Sequence, residues 1–298
     1  MDIFSEQQLI RFGHIDRSDA LTLASTFDFF QEAAISHAEI LGVGRDAMKE
    51  TGQLWLLSRI SVFMERRPRF NTAIRIRSWP RGANKLFAIR DYDIRAFSGE
   101  PPKGGDESGG AEGGAGGGAG GGAENGGAEN GGAEKPLVRG RSAWLIVDME
   151  KRRPLRPQAA VASFSSNEGH DALAGTGNEP PPSLGARSFT AEPVMRRVCY
   201  SDIDFNGHMN NTRYIQWIQD LLDIEILERA AQIRLDINYL SEARGGETIG
   251  LYMAPLEDPR LDSPDTPGVC TAAFALEGRR TGPEEGAVVF RAELRAGS

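Results

Sequence analysis

Cysteine is nearly absent. Cys199 and Cys270 are the two in 298 residues, too few for a disulfide framework. Histidine is almost as scarce: His14, His37, His170 and His208 are scattered, with no spacing that gathers a zinc ligand set. No apolar run reaches ~18 residues, and the opening MDIFSEQQLIRFGHID lacks the apolar core of a secretion signal. A membrane span is therefore not expected, and a soluble, cytoplasmic protein is. Cationic excess is missing too. The net charge of −8 argues against nucleic acid as a partner. There is no G-x-S-x-G nucleophile elbow. Gly42-Val-Gly44-Arg-Asp-Ala47 mimics a dinucleotide fingerprint, but it follows a helical pattern instead of a strand. No metal and no cofactor is expected.

Two segments lack the side chains of a core. Residues 99–135 are glycine-rich and contain the pentad GGAEN twice. With almost no apolar groups to offset ordering entropy, this tract reads as a disordered insert. Residues 158–190 are rich in Ser, Gly, Pro and Ala and read as a linker. They divide the ordered chain into 1–157 and 191–298.

The two parts look like repeats. Adding 175 aligns Arg59 with Arg234, Ile60 with Leu235, Val62 with Ile237 and Ile76 with Leu251, and adding 187 aligns Phe27 with Tyr214 and Phe30 with Trp217. Helical spacing predicts helices over roughly 25–50 and 211–229. Strand-like runs follow at 57–65, 73–79, 85–97 and 137–149, then at 233–240, 247–254, 268–276 and 286–295. A helix followed by antiparallel strands, occurring twice, is an α+β fold.

The chemistry concentrates in YSDIDFNGHMNNTRYIQW, Tyr200 to Trp217. Asp202, Asp204, Asn206 and His208 recur at two-residue spacing, which in an extended segment puts them on one face. Asn210, Asn211 and Thr212 supply capping groups for the helix that follows. A helix N-terminus with free N–H groups suits a developing oxyanion. Under the repeat alignment Asn206 pairs with Asp19, His208 with Leu21 and Glu242 with Arg67, so the first part lacks this constellation.

This segment resembles the hot-dog thioesterases, and in particular the acyl-ACP thioesterases of plants and bacteria. Asp204-x-Asn206-x-His208-x-Asn210-Asn211, followed by Tyr214 and Trp217, carries the resemblance, together with INYLSEA at 237–243. WLLSRI at 55–60, Ser78-Trp79-Pro80 and FAIRDYDI at 87–94 look like that family's first domain. The resemblance implies two tandem hot-dog domains, a double hot dog, each a long helix wrapped by an antiparallel sheet. The first would hold the acyl chain and the second the catalysis. It implies hydrolysis of the thioester of fatty acyl carrier protein (ACP), ending chain elongation in fatty acid biosynthesis. Asp204, Asn206, His208 and Glu242 would be catalytic, with Asn210 and Asn211 shaping the oxyanion site. Asp202 is assigned to structure, because the family pattern fixes Asp204. Plant members often have cysteine after the glutamate, where this chain has Ala243. That disfavours a thiol nucleophile, and Cys199 and Cys270 read as buried thiols. Water would then attack, with Glu242 or the Asp204–His208 pair as the general base.

Two other readings keep parts of this one: an acyl-CoA thioesterase of the hot-dog class, and a non-catalytic acyl-binding module. An acidic carrier needs a positive surface. Residues 52–98 carry ten Lys or Arg against Glu65, Asp91 and Asp93, and Arg66, Arg69 and Arg77 are the candidate docking cations. Hot-dog sheets commonly pair, so a homodimer is a candidate assembly.

Overall fold

The computed structural model describes residues 3–97, 135–257, 270–282 and 286–297, apart from residues 163, 165, 168 and 174. The glycine-rich tract 99–134 lies outside the described residues. Strand β1 (Phe4–Leu9) opens the chain and helix α1 (Leu23–Ile40) follows. Then come α2 (Arg45–Glu50), β2 (Gln53–Met64), β3 (Ala73–Asn84), β4 (Phe87–Ala96), β5 (Val138–Asp148) and the short β6 (Arg153–Leu155). A single turn of helix, α3 (Gln158–Val161), begins the connection to the second half. That half has β7 (Val194–Arg197), α4 (Asn211–Gln219), α5 (Ile224–Arg229), β8 (Gln232–Tyr239), β9 (Thr248–Pro255), β10 (Cys270–Arg280) and β11 (Val288–Gly297).

Every strand joins one antiparallel sheet, in the order β1-β3-β4-β5-β2-β8-β11-β10-β9-β7 with β6 beside β5. The two halves meet at β2 and β8, where Arg59 faces Asn238, Ile60 faces Ile237 and Ser61 faces Asp236. A helix against antiparallel strands, twice over, is the double hot dog that the resemblance implies, with the long helix in the first half and the shorter α4 in the second.

Each expected helix is broken in two. The first ends at Ile40 because Gly42 takes a φ of +72°, a conformation that ends a helix at little cost only in glycine. The second stops at Gln219 and resumes at Ile224. Thr22 caps α1 by accepting the Ser25 amide at 3.1 Å. The α1 face with Leu23, Phe27, Phe30, Ala34 and His37 is buried. Phe30 stacks on Tyr92 of β4 with ring centroids 4.6 Å apart. It also presses on Gly140, where a Cβ would stand 2.5 Å from the ring, so β5 needs glycine there. In α4, Tyr214, Ile215, Trp217 and Ile218 are buried, and one core runs unbroken from Phe27 and Ile76 to Leu235 and Phe290. Each such side chain contributes ~1.5–3 kcal/mol. The helices touch where the α1 amide of Ala24 meets Gln219 Oε1 at 2.8 Å.

The other face of the sheet is ionic. Arg141 and Asp91 are both buried and form a two-pronged pair at 2.6 and 2.8 Å. Glu277 accepts from Arg279 at 2.6 Å and from Arg291 at 2.7 Å. Buried charge survives in a core only when paired. The segment read as a linker lies across this face as a strap. Trp79 donates to the His170 carbonyl at 2.9 Å, Arg141 to Thr176 Oγ1 at 2.6 Å, and Asn238 to the Pro182 carbonyl at 2.9 Å. Among the described residues no helix is long and apolar enough to cross a membrane.

Candidate active site

After β7 the chain turns through Tyr200–Asp202 and enters a tight loop before α4. This loop is not the extended segment that the two-residue spacing predicts. The Gly207 amide donates to the Asp204 carbonyl at 3.0 Å, and the Asp204 amide to the His208 carbonyl at 2.9 Å. Gly207 has a φ of +79°, which favours glycine at the turn. Asp204 and His208 therefore face each other across a turn, and Asp204 Oδ1 takes the Asn206 amide at 2.8 Å. The Asn206 side-chain amide reaches Asp204 Oδ2 at 3.4 Å. Asp202 bends away and accepts the Cys199 amide at 2.8 Å, a structural role.

Glu242 arrives from the loop after β8. The Met209 amide donates to the Ala243 carbonyl at 2.8 Å, and His208 bridges Arg244. This short ladder brings His208 Nε2 to 3.1 Å from Glu242 Oε2. Both side chains are partly open to solvent, at 27% and 43% of full exposure. Arg280 of β10 donates to the Glu242 carbonyl at 2.5 Å and pairs with Glu247 at 3.1 Å, fixing the loop from below. Tyr214 of α4 accepts the buried Ala243 amide at 3.2 Å. Burial pushes the Tyr214 phenol well above its ordinary value, so it stays protonated. Sequence reasoning missed Arg280, which lies on a distant strand with nothing local to mark it.

The helix start is accounted for group by group. Asn210 Oδ1 takes the Thr212 amide at 3.0 Å, and the Asn210 carbonyl takes the Arg213 amide at 3.0 Å. The Asn211 carbonyl accepts from Tyr239 at 3.0 Å. Among the described residues the Asn211 amide meets no acceptor, which leaves it as a donor at the positive end of α4. An imidazole–carboxylate dyad, an amide side chain and a helix N-terminus thus share one short stretch of surface. Such a set can activate a water and stabilise a negative oxygen.

A groove of about 870 Å³ runs beside Asp204, walled by Arg197, Cys199, Tyr200, Phe205 and Gly246. Cys199 is exposed there, and Cys270 is half-buried, so neither is the buried thiol that the sequence predicts. The chain leaves β7 outward at the turn and carries Cys199 with it. Arg45, at the start of α2, lies 5.1 Å from the Phe205 ring and ties this loop to the first half.

The three proposed docking cations are not alike. Arg66 and Arg69 are exposed at the β2–β3 turn. Arg77 is committed to Asp93 at 2.8 and 2.5 Å on the ionic face, so it is not a free surface charge. The alternation that gathers arginines on one face also brings their aspartates.

Residues 1–101 match the acyl-ACP thioesterase N-terminal domain, and residues 190–268 match the acyl-ACP thioesterase C-terminal domain. The chain belongs to the acyl-ACP thioesterase family. A chloroplastic palmitoyl-acyl carrier protein thioesterase from Gossypium hirsutum is 23% identical over 274 residues, covering 88% of this chain and 57% of that protein. A chloroplastic oleoyl-acyl carrier protein thioesterase from Coriandrum sativum is 18% identical over 274 residues, covering 86% of this chain and 63% of that protein. The chain spans a little over half the length of these curated relatives. Among solved structures, an acyl-ACP thioesterase from Bacteroides thetaiotaomicron aligns with a TM-score of 0.66 at 20% identity, covering 98% of this chain and 97% of that one. The 12:0-ACP thioesterase from Umbellularia californica gives 0.66 at 16% identity, covering 98% and 96%. At these identities the structural likeness is one of fold.

Proposed function

We propose that this acyl-ACP thioesterase family member hydrolyses the thioester of fatty acyl-ACP, releasing a free fatty acid and the carrier thiol. The observation that carries this reading is the His208–Glu242 pair, 3.1 Å apart at the start of α4, in a chain whose family is defined by this substrate.

Glu242, through His208 or directly, takes a proton from a water as its oxygen adds to the thioester carbon. The Asn211 amide and the Asn206 side chain meet the oxyanion of the tetrahedral intermediate. Collapse of that intermediate breaks the C–S bond, and the proton held at the dyad passes to the leaving sulfur. Asp204 holds Asn206 and the loop in register. Asn210 caps the helix and so orients the Asn211 amide. The exposed cations Arg66 and Arg69 draw in the acidic carrier, and the first half receives the acyl chain.

The test is turnover of palmitoyl-ACP and decanoyl-ACP beside the matching CoA esters. ACP esters should be hydrolysed with the higher kcat/KM. Preference for the CoA esters would assign the acyl-CoA reading, and binding without turnover of either would assign a non-catalytic acyl-binding module.

A further inference from the structure

Each half reaches into the other through the loop that enters its helix. Ahead of α1, Arg17 donates from Nε and Nη2 to the two carboxylate oxygens of Glu228 on α5, at 2.6 and 2.8 Å. Arg67 holds the same loop a second time: it pairs with Asp16 and donates from Nη1 to the Leu227 carbonyl of α5 at 2.8 Å. Ahead of α4, the loop with Asp204 and Asn206 makes no hydrogen bond or ion pair to the first half among the described residues. The contact across is Phe205, whose ring lies 5.1 Å from the Arg45 guanidinium at the start of α2. The short helices α2 and α5 stand in like places, each running into the strand, β2 or β8, at the junction of the halves. One loop is thus held across the junction by charge and the other by an aromatic face.

Arg45 is a fixed post for that contact. Its amide donates to Glu39 Oε1 at 2.9 Å, and Gly44 before it makes room for that carboxylate, which a Cβ there would strike. Its Nε donates to Asp46 at 2.9 Å. Asp46 takes the edge of the guanidinium and leaves its face for the ring, the geometry of a cation–π pair. Phe205 is 70% exposed, so burial does little to hold it in place. Yet it stands between Asp204 and Asn206, and these two move as one unit, because Asp204 accepts the Asn206 amide at 2.8 Å. A shift of Phe205 therefore carries the Asn206 side chain with it.

We propose that Arg45 is a positioning residue for the reaction: through Phe205 it sets the Asp204–Asn206 turn against His208 and the start of α4. The role rests on the hydrolysis proposed above, and it makes the chemistry of the second half depend on a side chain of the first. Neither Arg45 nor Phe205 touches the reacting atoms.

Two readouts separate this role from a merely structural one. Arg45→Gln and Phe205→Leu should each lower kcat on palmitoyl-ACP by about 2–5-fold, the scale of an exposed cation–π contact, with KM and melting temperature little altered. The double variant should lose no more than either single one, since both remove the same contact. Phe205→Trp, which presents a better face to the guanidinium, should turn over at the wild-type rate. Arg17→Gln, which breaks the contact of the other loop, should leave kcat alone. The second readout needs no substrate. Hydrogen exchange of the 204–209 amides, followed by mass spectrometry, should quicken by a similar factor in Arg45→Gln and Phe205→Leu and not in Arg17→Gln. Wild-type kcat and wild-type exchange in Arg45→Gln would overturn the proposal. So would losses that add in the double variant, or a Phe205→Leu variant that raises KM alone, which would make the ring a substrate contact. Absence of thioester hydrolysis in the wild type, with exchange still quickened in both variants, would refute the proposed activity and leave Arg45 as the residue that positions the loop.

Discussion

Ser61 Oγ donates to Asp236 Oδ1 across the β2–β8 junction. The two residues are also repeat partners, 175 positions apart. An antiparallel pair whose members are equivalent in the repeat lies on the local two-fold axis relating the halves. On that axis one half places a hydroxyl and the other a carboxylate, which Arg234 also holds at 3.0 Å. The asymmetry seen at the candidate site is thus present at the centre of the sheet.

Replacing Glu242 by Gln, His208 by Ala or Asn206 by Ala should each lower kcat on acyl-ACP by about 100-fold or more, the usual scale for an acid–base or oxyanion partner. Circular dichroism should show the fold retained, since all three side chains are at least partly exposed. Wild-type rates in Glu242→Gln would remove the dyad from the mechanism.

The thiols give a sharper contrast. Cys199→Ser and Cys270→Ser should turn over acyl-ACP within a few-fold of the wild type. A collapse of kcat in a folded Cys199→Ser variant would argue for covalent catalysis by the thiol beside Asp204.

Arg141→Met removes one partner of a buried ion pair and should cost ~3–5 kcal/mol in a urea titration. Adding Asp91→Leu should recover most of that loss, because an uncompensated buried carboxylate causes it. The single variant should also expose the 158–190 strap to proteolysis, since Arg141 anchors it at Thr176.

Tyr214→Phe should destabilise the fold by ~1–3 kcal/mol, because the buried Ala243 amide loses its acceptor. The pH dependence carries a sign. The folded phenol is held above its ordinary value by burial, whereas the unfolded one ionises near pH ~10. Above that pH the folded state retains a proton that the unfolded state releases, so wild-type stability falls as pH rises. Tyr214→Phe should flatten that decline; parallel curves would mean that Tyr214 is not the group responsible.

Carrier docking through exposed cations predicts that kcat/KM on acyl-ACP falls between ~50 and ~300 mM salt. Charge reversal by Arg66→Glu and Arg69→Glu should mimic that loss and leave a small neutral thioester little affected. Arg77→Glu should instead lower stability, since it sets a carboxylate against Asp93. Equal salt sensitivity for both substrates would remove the docking role.

Much of the fold was legible because hydrophobic periodicity records burial. Ile74, Ile76 and Ile94 face the core and mark β3 and β4. The strands outside the predicted runs were β1, β6 and β7, short strands whose sequences FSEQQL, RPL and VMRR lack an apolar row; β3, β5 and β9 supply their register. Helix ends were legible only in part: Asn210 caps α4 by its own side chain as the sequence suggests, but the Thr22 cap of α1 was not read and the break at Gly42 depends on a backbone angle. At the site, Asp204, Asn206 and His208 were legible as a local pattern. The turn that reorients them was not, because spacing alone cannot tell an extended strand from a hairpin. Glu242 reaches His208 through the Met209–Ala243 ladder, a tertiary event that no local pattern encodes. Arg77 was misjudged because its neutralising Asp93 lies on the next strand.

The β2–β8 seam has a consequence for the gene. Two identical subunits meeting on such an axis would carry two equal sites, and any mutation would strike both. With both lobes on one polypeptide, each copy drifts alone. One can lack an imidazole that the other has, as Leu21 does beside its repeat partner His208. Severing the chain in the strap would leave β2 and β8 as raw edges. An isolated C-terminal lobe is then expected to pair its β8 edge with a second copy of itself.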